Sequence, residues 1–504
     1  MELVKSHQQG DNITILNTIS KKFADPDGNF HEGLILVYKD YDTGLKYKEE
    51  IIDPDYTFYK IMRDKKKPYN QLFVPLADLC PITVAHTDVD HMIAEVTDNK
   101  QFFFDNLRAG NKGENAKLHA HPDIFGSDIN IEDYYRHQFD MQYKNEPGAV
   151  TKSYLDIEAD TISMLGDFPQ PGECPINAVT VIFKDLNRVF TFLLETNANP
   201  LIPEFKKTVA DGTVFPELKA FVENAVGGPE VAAKYGIDKF EYSFLFYPED
   251  KEINLIKDIF SAINNFKPDF CLAWNMAFDI PYIIARIRNL GYEPKDIMCH
   301  PDFGLKFCEY FVDERMKNEF AERGDYALIS SYTVFVDQMI QYASRRKGQA
   351  RPISFGLDYI GEIVAKVHKL DYKHITTNIS ELPYKDYKTF VFYNIMDVIV
   401  QVCIESKTGD IDYMYSKAIV NNTRYAKVHR QTVYLTNRGI KEFRKSGYIM
   451  GNNVNKFNDK PDTKFPGAFV ADPVRVNEHS KVKLAGIPIW VFNNLNDFDK
   501  SIVA

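Results

Sequence analysis

The segment Tyr154-Leu155-Asp156-Ile157-Glu158 sets two carboxylates two residues apart inside an apolar run that reads as a core strand. Side chains two apart on a strand share a face, so both acids belong to one side of a sheet. Burying two like charges side by side is costly unless a cation compensates. A divalent metal is the simplest compensation, and this pair constrains the reading of the rest of the chain.

After Gly148 the chain opens with several strands and then alternates strands with helices. A Pro/Gly-rich turn covers Pro169 to Pro175, and Ala178–Phe183 with Val189–Leu194 reads as a strand pair joined by an Asn-containing turn. Tyr242–Tyr247 is a further strand. Glu249–Asn265 has the three-to-four-residue apolar recurrence of an amphipathic helix, Phe270–Trp274 is a short strand, and Ile280–Leu290 returns to helix. Three opening strands followed by strands interleaved with helices predict an α/β fold, a mixed sheet flanked by helices in an order that resembles RNase H. Thr333–Tyr342 and Gly356–Lys369 read as helices, and Tyr387–Ser406 as a long one. Ahead of this region, short strands at Gly33–Lys39 and Tyr47–Tyr59 and a helix pair over Asp88–Leu107 form a separate mixed α+β part. The expected domains are 1–147, 148–410, 411–465 as a return to the first, and 466–504.

The chain has 504 residues, long enough for several cores. Its formal charge of −11 argues against a protein that coats nucleic acid through bulk charge, but not against local basic and aromatic contacts to DNA. The six cysteines, at 80, 174, 271, 299, 308 and 403, form no CxxC pair and no zinc spacing. No apolar run reaches the roughly 18 residues expected of a membrane helix, and the N-terminus lacks the order of a signal peptide. These features lead to an expectation of a cytoplasmic protein, in the host cytoplasm if viral, with no membrane partner.

Two further acids join the first pair. Asp279 stands between a strand and a helix, where α/β folds gather ligand-binding groups. The Asp279-Ile280-Pro281 order also fits an N-cap with Ile280 and Pro281 as the first two helical residues. Asp397 lies mid-helix among Ile395, Met396, Val398 and Ile399, four residues after Tyr393, so phenol and carboxylate share a face. Asp156, Glu158, Asp279 and Asp397 together match two-metal phosphodiester hydrolysis, and an all-oxygen set suits two Mg²⁺ or Mn²⁺ ions. Tyr393 would orient the attacking water, because a phenol near pKa 10 is a poor base at neutral pH.

In this order the residues resemble the three exonuclease motifs of family B DNA polymerases, particularly those of large tailed phages. The motifs are DIE at Asp156–Glu158, NxxxFDxPY matched loosely by Asn275–Tyr282, and YxxxD at Tyr393–Asp397. The resemblance covers about residues 100–504 well and the first 100 only by position. It implies catalytic roles for Asp156, Glu158, Asp279, Tyr393 and Asp397, and DNA contacts at Asn275 and Phe278. It also places a strand-separating β-hairpin in 301–331, and makes Phe465–Pro473 the FPGAxVxxP-like lead into a palm. Asp497-Phe498-Asp499-Lys500-Ser501 is similar to the start of the first palm motif, with Asp497 or Asp499 as a metal ligand shared with another chain. No SLYPS, fingers lysine helix or DTD triplet is present.

The function so implied is metal-dependent 3′–5′ DNA exonuclease proofreading within a replicative polymerase. The implied partners are primer–template DNA, single-stranded 3′ ends, a second polymerase subunit carrying the rest of palm, fingers and thumb, and a sliding clamp. The apolar stretch Val482–Ala504 would dock on that subunit. A split-gene product and a truncated chain both fit. A free-standing exonuclease of repair or RNA decay and a non-catalytic replisome scaffold are the alternative classes.

Overall fold

The computed structural model describes residues 11–452 apart from 68, 70, 163, 165–168, 197–198, 317–318 and 350, together with the short strands Lys483–Leu484 and Ile487–Pro488. The chain divides into two units, Met1–Val454 and Asn455–Ala504. In the second, Lys483–Leu484 pairs antiparallel with Ile487–Pro488. The expectations for Phe465–Pro473, Asp497, Asp499 and most of Val482–Ala504 lie outside the described residues.

The first unit is organised around a six-stranded mixed sheet. Its strands, in chain order, are β1 (Lys152–Ala159), β2 (Ile176–Phe183), β3 (Arg188–Glu195), β4 (Glu241–Pro248), β5 (Phe270–Ala273) and β6 (Val334–Asp337). The spatial order is β4-β3-β2-β1-β5-β6. The β1–β2 and β2–β3 pairs are antiparallel, and β3–β4, β1–β5 and β5–β6 are parallel. β2 and β3 form a hairpin turned by Asn187 at φ 56, a left-handed conformation that asparagine tolerates. This is the three-strand opening followed by parallel strands expected of an RNase H-like sheet.

Alternation along β1 sorts its side chains between two layers. Leu155 and Ile157 join the core formed with helices α1 (Glu252–Phe266) and α2 (Met276–Asn289). Tyr154 faces the other core, shared with α3 (Gln338–Arg345), α4 (Leu357–Ala365) and α5 (Tyr387–Thr408). Asp156 and Glu158 follow Tyr154 in that period, so both turn toward the α5 layer.

α5 is buried on nearly every side, from Phe390 to Glu405, as expected of a helix apolar all round. Asp386 caps its start by accepting from Thr389 N at 3.0 Å, and Gly409 at φ 58 ends it. Among the described residues α5 is long and apolar enough to cross a membrane by length and composition, contrary to the expectation that no such stretch exists. It is a core helix here, with 83% of the apolar window buried inside the protein.

Two elements differ from the sequence-based expectation. Thr333–Tyr342 is not one helix: Val334–Asp337 is strand β6, and α3 begins at Gln338. Periodicity cannot distinguish a short apolar run in a strand from one in a helix, and pairing with β5 decided it. Asp279 is not an N-cap either. Asn275, at φ 66, breaks the chain sharply after β5, so α2 begins at Met276 and Pro281 lies inside it.

The N-terminal part carries an antiparallel sheet of Ile13–Ala24, Phe30–Asp40 and Lys46–Ile52, and a second of Leu79–Ala85, Asp55–Ile61 and Ile124–Phe125. The segment after α5 returns to it, where Tyr448–Met450 pairs with Phe73–Pro75. Residues 301–331 contain an antiparallel hairpin of Cys308–Phe311 and Tyr326–Ile329. A buried charge cluster ties the N-terminal sheet to β5. Asp269, fully buried, accepts from Lys39 Nζ at 2.7 Å and from Thr151 N at 2.8 Å, and pairs with Lys46 Nζ at 2.8 Å.

Candidate metal centre

The β1–β5 pairing ends at Tyr154↔Leu272, so Asp156 and Glu158 extend beyond it at the carboxyl end of β1. Ligand sites of α/β sheets lie at such strand ends. α5 passes over this edge and presents Asp397. Ligand oxygens of Asp156, Glu158 and Asp397 lie within 4.8 Å of one another.

Each acid is held differently. Asp156 Oδ2 accepts from Asn394 Nδ2 at 3.1 Å, Asn394 Oδ1 accepts from Thr180 Oγ1 at 2.6 Å, and Thr180 contacts Thr191 Oγ1 at 3.1 Å. A polar chain across β1, β2 and β3 thus fixes both carboxylate and helix. Asp397 Oδ2 accepts from Lys369 Nζ at 2.5 Å, and the same ammonium lies 3.2 Å from the Tyr393 hydroxyl. Its other oxygen, Oδ1, is buried without a hydrogen-bond partner. Glu158 has no hydrogen-bond donor of its own among the described residues.

Lys369 is placed by close helix packing. Gly361 lets α4 lie against α5, since a Cβ there would fall 2.6 Å from Val400 Cγ1. The chain leaving α4 is then fixed by Asp358 Oδ1, which accepts from Lys369 N at 2.8 Å. Tyr372 meets the Tyr393 ring edge-on at 5.4 Å.

The electrostatics arise from crowding. Burial, and next the Asp397 charge, push Asp156 up to about 8. Burial and the charges of Asp156 and Asp397 push Glu158 well above the ordinary carboxylate range. Asp397 is raised by burial against the opposing pull of Lys369. Burial likewise carries the Tyr393 phenol well above its usual range, which keeps it protonated and able to donate.

Asp279 is buried in the first turn of α2, outside the trio of converging oxygens. Burial and the Asp156 charge raise it well above the usual range, and a backbone hydrogen bond from Ile157 opposes this. Asn275 forms the left-handed junction before α2, and Phe278 packs against Tyr282 at 5.4 Å between ring centroids. Lys369 and Asn394 escaped sequence reasoning. Asn394 sits one residue after Tyr393 and could have been flagged as a polar residue on a buried helix, whereas nothing local distinguishes Lys369 from its neighbours.

The residues fit a hard divalent cation. The trio offers only carboxylate oxygens, one of them a buried orphan, and their mutual repulsion is only partly relieved by one ammonium.

Residues 119–360 match the family model for the exonuclease domain of family B DNA polymerases. The sheet order and the acidic cluster agree with this likeness to the exonuclease domain of that family. The chain is also similar to a DNA-directed DNA polymerase of Escherichia phage RB69, at 25% identity over 353 residues, which are 68% of this chain and 34% of the phage protein. It therefore spans about a third of the length of that relative. The family match ends before Lys369, Tyr393 and Asp397, which the tertiary structure brings to the site.

Proposed function

We propose that this chain removes nucleotides from the 3′ ends of DNA as 5′-monophosphates, as the proofreading part of a replicative family B polymerase. The observation that carries the proposal is the convergence of Asp156, Glu158 and Asp397 beside Lys369 and Tyr393. Asp156, Glu158 and Asp397 would hold one Mg²⁺ or Mn²⁺, and Asp279, beside Asp156, would complete a second position. Bound divalent cations supply the positive charge that favours an ionised attacking water and a departing 3′ oxygenate.

The protein groups then have distinct tasks. Asn394 fixes the Asp156 carboxylate. Tyr393 keeps its proton and orients the water by donating or accepting at its hydroxyl. Lys369 restrains Asp397 and offers positive charge where the phosphate arrives. Asn275 and Phe278, at the mouth of α2, contact the terminal nucleotide.

Polymerisation is proposed to require palm, fingers and thumb sequences, in this or a separate chain. Asp497 or Asp499 would contribute to a separate polymerase metal site completed by those palm sequences, and a sliding clamp would be a further partner. The setting would be the cytoplasm of the cell in which the DNA is copied.

The test is to incubate the purified chain with 5′-labelled single-stranded DNA, with Mg²⁺, with Mn²⁺ and with EDTA. Stepwise shortening from the 3′ end with release of mononucleotides, faster than on duplex and abolished by EDTA, is the expected result. Cleavage that persists unchanged in EDTA, or no cleavage of DNA with either metal, overturns the proposal.

A further inference from the structure

A groove of ≈ 480 Å³ opens between Glu319–Glu322 in the loop joining the two hairpin strands, the end of α3 and the start of α4. Its lining combines aromatic surfaces with cations. Phe320 and Phe355 meet edge-to-face at 5.3 Å, both are partly exposed, and Tyr359 continues the surface on α4. The sequence Ser344–Arg351, SRRKGQAR, carries four cations and no acid in a chain of formal charge −11. Arg346 is laid flat on Tyr342, its guanidinium carbon 3.8 Å from the ring centroid, and anchored to Asp410 at 2.8 Å. Lys347 and Arg351 extend outward.

Both cations have acidic neighbours at the surface. Lys347 pairs with Glu322, and Arg351 approaches Glu319 at 3.9 Å with both side chains 61% exposed. Exposed pairs of this kind are worth little and exchange readily for another anion. Half-exposed aromatic faces under exchangeable cations suit a chain of planar rings joined by phosphates better than an acidic peptide, which has no ring to stack.

The groove shares its framework with the carboxylate centre. The Phe355 carbonyl accepts from Trp274 Nε1 at 2.9 Å, and Trp274 immediately precedes the Asn275 junction and α2. Tyr359 stands beside Asp358, which holds the Lys369 backbone.

We infer that this groove is a second nucleic-acid contact, binding single-stranded DNA by stacking on Phe320, Phe355 and Tyr359 and by phosphate contacts to Lys347 and Arg351, apart from the carboxylate centre. The inference rests on the exonuclease reading for its choice of ligand, and the groove would lengthen the footprint of the bound strand.

The test uses the full chain in EDTA, so that nothing is cleaved, with fluorescein-labelled (dT)16 and (dT)4 read by anisotropy over a salt series. The double variant Lys347→Ala/Arg351→Ala should weaken (dT)16 about tenfold at low salt and reduce the slope of log K against log[salt] by about 1.4, roughly 0.7 for each phosphate no longer neutralised. It should change (dT)4 by less than about twofold. Phe355→Ala should weaken (dT)16 with the salt slope unchanged, because stacking releases no counterions. Equal weakening for the two lengths, an unaltered slope in the double variant, or equal displacement of (dT)16 by poly-glutamate overturns the groove. A wild-type chain that binds (dT)16 in this length-dependent way yet releases no mononucleotide with Mg²⁺ or Mn²⁺ overturns the exonuclease reading and leaves the groove standing.

Discussion

Replacing Glu158 with glutamine should make the metal-free protein more stable while disabling it as a metal site. Glu158 shares a 4.8 Å cluster with Asp156 and Asp397. At an effective dielectric of about 20, two unit charges at that distance repel by about 3.5 kcal/mol, from 332/(20 × 4.8). Lys369 relieves part of this, and proton uptake by the cluster relieves more, so the expected gain is about 1–3 kcal/mol near pH 8. Glutamine keeps the volume and brings two N–H donors to a site where Asp397 Oδ1 is without a partner. The sign against pH is set by the raised pKa of Glu158. A carboxyl raised on folding favours the folded state below its unfolded pKa and loses that contribution as pH rises through the folded value. The wild type in EDTA should therefore lose stability from pH 5 to pH 8.5, the variant should lose less, and the two should converge near pH 5. The assay is thermal unfolding in EDTA and again with Mn²⁺. About 2–4 °C per kcal/mol is expected for a cooperative unit of 150–250 residues. Mn²⁺ should raise the wild type, by about 2.7 kcal/mol at a hundred times its Kd, and raise the variant much less. A variant that melts at or below the wild type in EDTA at pH 8.5, or gains as much from Mn²⁺, refutes the account of Glu158 as an uncompensated ligand.

Further outcomes are expected at neighbouring positions. Asp397→Ala should lower exonuclease turnover by about a thousandfold or more, whereas Tyr393→Phe, which removes one positioned hydroxyl, should cost nearer ~10²-fold. Equal losses in single-turnover assays would show that Tyr393 does more than orient. Lys369→Met should lower the melting temperature in EDTA at pH 8, because Asp397 loses the ammonium that opposes its upward shift and must either hold a charge unaided or take up a proton, and that deficit should shrink at pH 5, where the proton is available at less cost; a pH-independent deficit would mean that Lys369 acts only through packing. Asp269→Ala strands the buried Lys39 and Lys46 ammonium groups, a loss of about 3–5 kcal/mol for a broken buried pair, measurable by urea unfolding. A change below about 1 kcal/mol would show that water reaches those lysines.

The sequence by itself determined most strands of the sheet and which acids share a face. Alternation in β1 forces Asp156 and Glu158 onto one face whatever surrounds the strand, and the Tyr393–Asp397 spacing forces phenol and carboxylate onto one face of a helix. Those are consequences of backbone periods of 2 and 3.6, readable without a neighbour. The tertiary structure decided what those faces meet. It fixed β6 as a strand, because the edge of β5 supplied hydrogen bonds that so short a run, Val334-Phe335-Val336-Asp337, could not announce. It started α2 at Met276, because Asn275 accepts a left-handed turn that composition does not reveal. It turned an apolar helix of membrane-spanning length into the core of the domain. It delivered Lys369 to Asp397 across 28 residues and Asn394 to Asp156 across 238. Charges compensate through space, so a lone lysine or asparagine in the chain carries no sign of the carboxylate it will meet until helices and sheet have packed.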